Sequence, residues 1–418
     1  MTLQYKIQDF QDSKVFCPAP FVHYYIHSTE KSKPCCFAHK YDVWKQPRVV
    51  RKLKEEWESE DYTKLRNNMI QGKASRICTR CYDAESTGGN SDRLNFMRTY
   101  MEVEPTLEIN VETGNEYGTP LDLDLRPGNL CNLQCRMCGT ATSSQLNKEA
   151  KKNQSLLKNV ISPFDEENES VWTSDDNLDF LLKNIDKGPR LIKFLGGEPT
   201  IMPEVDRILD ILIERDRTDT DIFFTTNLTN TNKNFLDKIS NFRETKWNIS
   251  MDGIDKTLEY IRYPVKWYSL QKNLIKLSQL GNIAKTIPIS YTLQAYNIFD
   301  LEHTIRWAHN RNKENEVKLY VDPDILVHPK FFSYNVLPKD VRDKAVEKIL
   351  KMPELEEQDT LNKIRTRVEY ILNDETKGHL KTFANATKRF DISRKQHIKD
   401  YIPELWEVIE KDYNDIQV

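Results

Sequence analysis

Short apolar segments alternate with amphipathic ones along the middle of the chain. The stretch PLDLDLRPGNL places Leu121, Leu123 and Leu125 at every second position, which is the period of a β-strand. The stretch EVDRILDILIERD instead spaces its apolar residues at helical intervals. Six predicted strands alternate with such helical segments, in the stretches PLDLDLRPGNL, RLIKFLGGEP, DIFFTTNLT, KWNISMDG, IPISYTLQAYN and EVKLYVDPDIL. This alternation predicts an α/β fold built from parallel β/α units.

The two ends of the chain have a different pattern. Residues 338–418 are rich in charge and spaced for helices, as in KDVRDKAVEKILKM. Residues 47–73 also have helical spacing, and Gly72 is a plausible helix stop. Residues 140–185 are polar and predicted to be helical around an irregular centre, SPFDEENES. The sequence therefore predicts a three-part chain, with boundaries at 1–118, 119–335 and 336–418.

Polar and glycine residues follow the predicted strands at the positions where each strand ends. Parallel β/α barrels carry their chemistry on the loops at this end of the strands. The residues concerned are Cys131–Cys138, Gly196–Glu198, Asn227, Ser250–Asp252, Gln294 and Asn297. We therefore look for a functional site among these loops.

Charge and composition narrow the class of protein. The 418 residues include 61 Lys and Arg against 64 Asp and Glu, a net charge of −3, which gives no global basic footprint for nucleic acid and leaves a local basic patch open. No apolar run approaches the ~18 residues of a membrane span, and the first residues lack the apolar core of a signal peptide. We expect a cytoplasmic protein. Its eight cysteines are then expected to be reduced and to serve metal binding or catalysis.

Three cysteines lie close together after the first of the six strands. Cys131, Cys135 and Cys138 have the spacing Cys-x3-Cys-x2-Cys, with no fourth cysteine nearby. Structural zinc takes four protein ligands, whereas an iron–sulfur cluster held by three thiolates leaves one iron open for a substrate or cofactor. The spacing favours the cluster. A zinc site completed by a distant residue and three incidental cysteines stay open as alternatives.

The other five cysteines precede the predicted barrel. They are Cys17, Cys35, Cys36, Cys78 and Cys81. The Cys78-x2-Cys81 pair is a two-ligand clip found in both zinc and iron–sulfur sites. With Cys17 and one of Cys35 and Cys36 it offers four thiolates, which make a closed site. Spacing alone leaves zinc and a [4Fe–4S] cluster equally open.

The motif CNLQCRMC, followed in order by LGGEPT, TTNLT and ISMDG, resembles the radical S-adenosylmethionine (SAM) superfamily. The resemblance implies a partial (β/α)6 TIM-like barrel. It also implies that Cys131, Cys135 and Cys138 hold a [4Fe–4S] cluster, whose fourth iron is chelated by the amino and carboxylate groups of S-adenosylmethionine. Such enzymes cleave the cofactor reductively to a 5′-deoxyadenosyl radical, which abstracts hydrogen from a substrate.

The same resemblance assigns roles to the residues at the ends of the strands. Gly196, Gly197 and Glu198 line the methionine amino group, and Met137 takes the usually aromatic position that packs near adenine. Ser250 and Asp252 contact ribose or carboxylate, Asn227 is a second candidate for that contact, and Asn297 makes a polar contact to the cofactor. The resemblance singles out no catalytic side chain.

The segments around PCC and CTRCYDAE resemble the auxiliary-cluster region of SPASM/twitch radical SAM enzymes, here on the N-terminal side of the barrel. This resemblance implies a second [4Fe–4S] cluster held by Cys17, Cys35, Cys78 and Cys81, with Cys36 as the alternative to Cys35. The three parts then become an auxiliary-cluster domain (1–118), a radical SAM partial barrel (119–335) and a helical C-terminal extension (336–418).

The resemblance implies an enzyme, and we expect a peptide or protein substrate. It also implies a flavodoxin- or ferredoxin-type electron donor, while no membrane or nucleic-acid partner is expected. Three alternatives stay open. They are a radical SAM dehydrogenase of a small molecule, a barrel that binds S-adenosylmethionine without cleaving it, and a non-catalytic zinc-binding interaction protein.

Overall fold

A computed structural model describes residues 2–27, 30–38, 51–103, 106–110, 120–165, 172–182, 189–353 and 361–417. The start of the predicted 47–73 helix, with Val50, lies outside these residues. So does the centre of the irregular stretch predicted within 140–185.

The described strands form two sheets. One has two strands, in the order β1-β4, and the other has eight, in the order β10-β9-β8-β7-β6-β5-β2-β3. The strands are β1 Thr2–Lys6, β2 His23–His27, β3 Glu30–Lys33, β4 Thr106–Asn110, β5 Asp122–Arg126, β6 Leu191–Phe194, β7 Asp221–Thr226, β8 Thr245–Ser250, β9 Thr286–Leu293 and β10 Lys318–Ile325.

The helices fall before, between and after the strands of the larger sheet. They are α1 Ala19–Val22, α2 Leu53–Trp57, α3 Glu60–Ile70, α4 Thr79–Ser86, α5 Asp92–Val103, α6 Ser144–Lys152, α7 Gln154–Leu157, α8 Asp175–Leu182, α9 Pro203–Glu214, α10 Lys233–Ile239, α11 Asp255–Ile261, α12 Trp267–Ser278, α13 Leu301–Glu314, α14 Lys339–Leu350, α15 Leu361–Asn373, α16 Leu380–Arg394 and α17 Pro403–Asp415. None of these helices combines the length and apolarity of a membrane span.

The six strands expected from the sequence are confirmed as β5 to β10. Alternation is clearest in β9, where Ile287, Ile289, Tyr291 and Leu293 are buried and the residues between them are less so. The pairs β5–β6, β8–β9 and β9–β10 are parallel. The mixed α/β fold, with its mostly parallel sheet, is the one that the periodicity predicts.

An N-terminal strand extends the sheet beyond β5. β2 runs parallel to β5, with His23 opposite Asp122 and His27 opposite Arg126, and β3 pairs with β2 in the antiparallel sense. Every residue of β2 is buried. The aromatic run FVHYYIH is typical of a buried strand, but nothing local shows which strand it pairs with.

The first compact unit comprises Met1–Gly128, Glu166–Gly196 and Pro203–Phe223. One side of β2 packs on α2 and α3, where the Tyr24 ring lies 4.9 Å from that of Trp57. The fully buried Arg66 stacks 4.3 Å from the Trp57 ring and donates to the carbonyl of Pro20 at 2.7 Å. The predicted apolar side of the 47–73 helix, represented by Leu53, Trp57, Leu65 and Met69, is buried as expected.

The second compact unit comprises Asn129–Asp165, Gly197–Met202 and Phe224–Val418. Its core joins the end of β9 to the C-terminal helices, since the Tyr296 ring lies 5.2 Å from Phe332 and 4.9 Å from Phe383. The helices predicted over 338–418 are present as α14 to α17. The domain boundaries at 118 and 335 stay predictions.

Candidate active site

The loop with Cys131, Cys135 and Cys138 follows β5 and leads into α6. The backbone N–H of Leu133 points at the Cys131 sulfur, with 3.5 Å between nitrogen and sulfur. The backbone N–H of Cys131 donates to the hydroxyl of Ser144 at 3.1 Å. The Cys138 N–H donates to the carbonyl of Cys135 at 3.1 Å. Backbone donors directed at sulfur stabilise a thiolate, so the loop is built to present sulfur ligands.

Burial dominates the electrostatics of these thiols. It raises the pKa of Cys131 to about 11 and raises that of Cys135 further. Cys138 adds to both shifts, and Cys131 adds to that of Cys135, so the three sulfurs act on one another. Two buried thiols and a half-buried one that act on one another in this way fit a cationic iron–sulfur core better than three protonated side chains.

Arg136 connects the cysteine loop to the residues around Ile261 and to α16. Its backbone N–H donates to the carbonyl of Ile261, and its fully buried guanidinium lies 3.6 Å from the centre of the Tyr260 ring. Nη2 of the same group donates to Oδ1 of Asp391 in α16 at 2.7 Å. The second oxygen of Asp391 accepts from the Tyr413 hydroxyl at 3.1 Å. The C-terminal helices thus hold the cysteine loop through a buried ion pair.

Arg262 is a site residue that the sequence analysis did not identify. Its Nε lies 2.7 Å from Oδ2 of Asp252, and its Nη1 lies 3.9 Å from the sulfur of Cys135. Burial opposes its charge, but Asp252 and Cys135 raise its pKa, so the group stays cationic. The sequence places Arg262 in an aromatic stretch, EYIRYPVKWYSL, for which core packing is a better interpretation than a substrate contact.

The Gly-Gly-Glu stretch after β6 approaches the cysteine loop closely. A Cβ on Gly197 would lie 2.4 Å from the carbonyl oxygen of Leu130, and φ at this residue is +49°, so only glycine fits. The backbone N–H of Glu198 donates to the same carbonyl at 2.8 Å. Leu130 directly precedes Cys131, so this stretch fixes the start of the cysteine loop.

The side chain of Glu198 is turned into the protein and fully buried. One oxygen accepts from the hydroxyls of Thr200 and Thr226, both at 2.6 Å, and the other accepts from the N–H of Asn227 at 2.7 Å. Burial raises its pKa, and these donors counter the shift. Glu198 therefore ties the loop after β6 to the loop after β7.

Asn227, at the end of β7, faces the cysteine loop. Its Nδ2 lies 4.0 Å from the Cys131 sulfur and donates to Oδ1 of Asn132 at 3.1 Å. Its Oδ1 accepts from the N–H of Thr229 at 2.9 Å. The structure brings this predicted residue into the sulfur environment.

The predicted residues at the ends of β8 and β9 form a second group. Oδ1 of Asp252 accepts from the N–H of Thr292 at 2.7 Å, and Nδ2 of Asn297 donates to the carbonyls of Asp252 and Thr292. Asp252 and Asn297 are fully buried, whereas Ser250, in register with Ser290, is half-buried. The Asn297 side chain therefore orients the backbone carbonyls of Asp252 and Thr292. Met137 lies half-buried within the cysteine loop.

The N-terminal cysteines form a separate group within the first unit. Cys17 is buried, and its pKa is raised by burial and then by Cys35, with smaller effects of Cys78 and Cys81. Arg93 joins two of the segments, since its Nη1 donates to the carbonyl of Phe16 at 3.0 Å and its Nε donates to Glu85 of α4 at 2.9 Å.

Cys36 faces a different set of side chains from its neighbour Cys35. Burial raises its pKa to about 11, the charged groups that act on it are Asp124, Arg126, Asp92 and Lys193, and Cys36 in turn raises the pKa of Cys35. This placement bears on the choice that the sequence leaves open, because Cys35 and not Cys36 acts on Cys17.

No group of three or more His, Cys, Asp or Glu side chains in the described parts of the chain is arranged to hold a metal ion. A cubane cluster binds each thiolate through a different iron, so its ligands need not converge on a single point. Three other features fit these cysteines to a cluster: their burial, the effect of each on the pKa of the others, and the N–H groups of Leu133 and Asn227 near the Cys131 sulfur.

Comparison with known proteins bears on the class of this part of the chain. Residues 125–308 match the family model described as the Radical SAM superfamily, a family that implies a [4Fe–4S] cluster and S-adenosylmethionine. The match covers less than half of the chain. No curated protein matches the chain.

Three solved structures with a likeness to this chain share 13–16% sequence identity with it. SuiB of Streptococcus suis bound to S-adenosylmethionine is 13% identical, with 74% of this chain and 64% of that chain covered and a TM-score of 0.34. The chain thus spans less than two thirds of the SuiB structure. Native anSMEcpe with bound AdoMet is 16% identical, with 71% and 82% covered and a TM-score of 0.41. SuiB bound to its precursor peptide SuiA is 14% identical, with 78% and 66% covered and a TM-score of 0.32.

Proposed function

We propose that the protein is a radical SAM enzyme that cleaves S-adenosylmethionine reductively and abstracts hydrogen from a peptide or protein substrate. The observation that carries the proposal is the loop after β5, where two buried thiols and the half-buried thiol of Cys138 act on one another and where Gly197, at positive φ, packs against the carbonyl of Leu130. When bound, the cluster and its nucleotide supply the electron and the organic radical.

The chain itself supplies position and charge. Arg262 places a cation beside Cys135 and holds Asp252, and Asn227 places an amide N–H near Cys131. Glu198 keeps two neighbouring loops at a fixed separation by accepting from both. Water is excluded at Cys131 and Cys135, which are each less than one tenth exposed.

We further propose that Cys17, Cys35, Cys78 and Cys81 hold a second [4Fe–4S] cluster. Support comes from the effects of Cys35, Cys78 and Cys81 on the pKa of Cys17, and from the Arg93 contacts that join their segments. Four thiolates close the coordination of such a cluster, which suits electron transfer or structural support. A small ferredoxin- or flavodoxin-type protein is the proposed electron donor.

The test uses protein purified and reconstituted without oxygen. Iron, sulfide and zinc are counted, and 5′-deoxyadenosine is measured after addition of dithionite and S-adenosylmethionine. We expect about eight irons per chain, two cubanes of four, and formation of 5′-deoxyadenosine. Colourless protein with two zincs and no nucleoside product would instead indicate the zinc-binding alternative.

Two matched variants separate the two cysteine groups. Cys135→Ala is expected to abolish 5′-deoxyadenosine formation and to keep the iron of the N-terminal group. Cys81→Ala is expected to lose that iron and to keep the iron bound by the loop after β5. Nucleoside formation by Cys135→Ala would overturn the assignment of the two sites.

A further inference from the structure

One segment of the second unit lacks acidic residues. Residues 260–299 contain no Asp or Glu, although the whole chain has 64 of them among 418 residues. Among the helices that the structure describes, only α12 and the four-residue helices α1 and α7 are without an acidic residue. Protein surfaces normally mix charges of both signs. The surface of α12 is therefore basic in a chain whose net charge is −3.

Four exposed residues form one stripe along α12. Tyr268, Lys272, Ile275 and Lys276 follow the helical spacing i, i+4, i+7 and i+8, which places them on one face. Tyr268 is 75% exposed and Ile275 is 56% exposed. Both lysines are exposed, and neither forms an ion pair with another described residue. The apolar residues that hold α12 on the protein lie on its other side and are buried. We refer to these four residues as the α12 stripe.

The helix that carries the stripe is joined to the cysteine loop. Nδ2 of Asn273 donates to the carbonyl of Thr229 at 3.2 Å, and the hydroxyl of Thr229 accepts from Nδ2 of Asn132 at 2.8 Å. Asn132 directly follows the first cysteine of the loop. The carbonyl of Tyr263, shortly before α12, accepts from the N–H of Gln134 at 2.7 Å. A partner bound on α12 therefore lies close to the proposed cluster.

Charge and apolarity define the partner. Complementary charge steers two proteins together, and an apolar centre with a charged rim is the usual make-up of an interface. The nearest acidic residues before the stripe, Asp255 and Glu259, lie in α11, and Glu259 pairs with Lys266 at 2.7 Å. The cations of Lys272 and Lys276 thus call for an acidic partner. A twofold contact between two copies of the chain would instead bring lysines against lysines.

The chemistry at the cysteine loop narrows the partner further. The proposed reductive cleavage consumes one electron for each S-adenosylmethionine. Cys131 and Cys135 are buried, so a protein reductant must dock close to the loop to reach a cluster bound there. Among electron carriers, a flavodoxin presents the apolar edge of an aromatic flavin, and the exposed ring of Tyr268 suits contact with such an edge.

We propose that the α12 stripe is the docking surface for an acidic flavodoxin-type electron carrier. Acidic side chains of the carrier pair with Lys272 and Lys276, and its flavin edge contacts Tyr268. The reduced flavin is oxidised by one electron, which passes to the iron–sulfur cluster, and no covalent bond forms or breaks at the stripe. This proposal rests on the proposed enzymatic function and specifies its partner.

The first test measures binding by isothermal titration calorimetry. The probe is an oxidised, FMN-loaded flavodoxin of net negative charge, added to the anaerobically reconstituted protein. We expect saturable binding that weakens as salt is added, because salt screens exposed charges. An absence of binding, or binding that salt does not weaken, would overturn the proposal.

Charge variants locate the binding. The double variant Lys272→Glu, Lys276→Glu is expected to bind the flavodoxin at least tenfold more weakly, whereas Lys272→Arg, Lys276→Arg, which keeps the charge, stays within about threefold of the unmodified protein. Lys381→Glu reverses an exposed lysine of α16 in the same unit and is the control. If the double glutamate variant binds as the control does, the assignment is wrong.

Two further measurements test the apolar part of the stripe. Tyr268→Ser is expected to weaken binding of the flavodoxin at least threefold, and an equally acidic [2Fe–2S] ferredoxin is expected to bind more weakly than the flavodoxin. Tighter binding of the ferredoxin would overturn the choice of carrier. Sedimentation of the protein alone is expected to show no dimer that Ile275→Ser dissociates. Such a dimer would show that a second copy covers the stripe.

Failure of this proposal can be told apart from failure of the proposed function. Formation of 5′-deoxyadenosine is measured with reduced flavodoxin and, separately, with dithionite. The double glutamate variant is expected to lose at least tenfold in rate with flavodoxin and to keep its rate with dithionite. Equal losses with both reductants, or none with either, would overturn the docking surface alone. Salt-sensitive binding at the stripe without nucleoside formation by either reductant would remove the enzymatic function and leave the docking surface.

Discussion

The guanidinium of Arg262 bridges the Asp252 carboxylate and the Cys135 thiol, with Nε 2.7 Å from Oδ2 and Nη1 3.9 Å from the sulfur. A cation at this distance stabilises the more negative, reduced form of a cluster bound at Cys135. We predict that Arg262→Gln lowers the midpoint potential by on the order of 60 mV, a tenfold change in the one-electron equilibrium.

The potential is measured by redox titration followed by electron paramagnetic resonance. Arg262→Lys keeps the charge and is expected to shift the potential less. Arg215→Gln, which removes a surface partner of Asp179, is the control. An unchanged potential in Arg262→Gln with full iron content would contradict this role for Arg262.

Gly197→Ala tests the contact between the Gly-Gly-Glu stretch and the cysteine loop. The added Cβ would meet the Leu130 carbonyl and the Met202 side chain, both at 2.4 Å, in a left-handed backbone conformation. We predict a loss of about 1–3 kcal/mol in the free energy of unfolding and weaker binding of S-adenosylmethionine. Denaturant unfolding and equilibrium dialysis measure the two effects.

Gly281→Ala is the matched control for this substitution. Nothing lies within 4 Å of a Cβ at Gly281, and its φ is not in the left-handed region. We expect its free energy of unfolding to change by less than about 1 kcal/mol. Similar behaviour of the two alanine variants would refute the steric argument.

Asp391→Ala tests the support that α16 gives to the cysteine loop. The substitution leaves the guanidinium of Arg136 buried without its carboxylate, and it removes the acceptor for the hydroxyls of Tyr260 and Tyr413. Breaking a buried ion pair from one side costs about 3–5 kcal/mol. We predict this loss in denaturant unfolding, together with fewer irons retained per chain.

Asp415→Ala changes an exposed carboxylate at the end of α17 and is the control. It is expected to alter the free energy of unfolding by less than about 0.5 kcal/mol. The buried pair would have no special importance if both variants unfolded at the same denaturant concentration.

Cys35→Ser and Cys36→Ser decide which thiol of the pair is a cluster ligand. Because Cys35 raises the pKa of Cys17 whereas the charged groups of Asp124, Arg126, Asp92 and Lys193 act on Cys36, we predict that Cys35→Ser loses the N-terminal cluster and Cys36→Ser keeps it. Iron and sulfide are counted in a Cys135→Ala background, where the remaining iron belongs to the N-terminal group. The reverse pattern would make Cys36 the ligand.

Local pattern was sufficient for the strands and helices but not for the way they pair. The strands β5 to β10 and the helix α9 can be predicted from the sequence, because an apolar spacing of two or of 3.6 residues is a property of a few consecutive residues. The register of β2 on β5, with His23 opposite Asp122, joins residues that are remote in sequence. Side-chain period carries no information on such partners.

The residues of the candidate site also differ in whether local sequence pattern or long-range contact identifies them. Cys131, Cys135 and Cys138 could be singled out as candidate ligands because their spacing lies within eight consecutive residues. Arg262 and Asp391 were not, because what matters is their distance from Cys135 and Arg136, and the second pair is 255 residues apart. Asn297 illustrates the opposite case, in which a residue expected to touch the cofactor donates to backbone carbonyls.

The buried ion pair of Arg136 and Asp391 sets a lower limit on the length of a fragment whose cysteine loop keeps its support from α16. A piece trimmed to residues 119–335 would retain every thiol of the CNLQCRMC motif, yet it would strand a cation among the rings of Tyr260 and Tyr296. The cysteine loop of such a piece would lose its contact with α16. The smallest piece that keeps this ion pair must therefore extend at least to Asp391, far beyond the last recognisable motif.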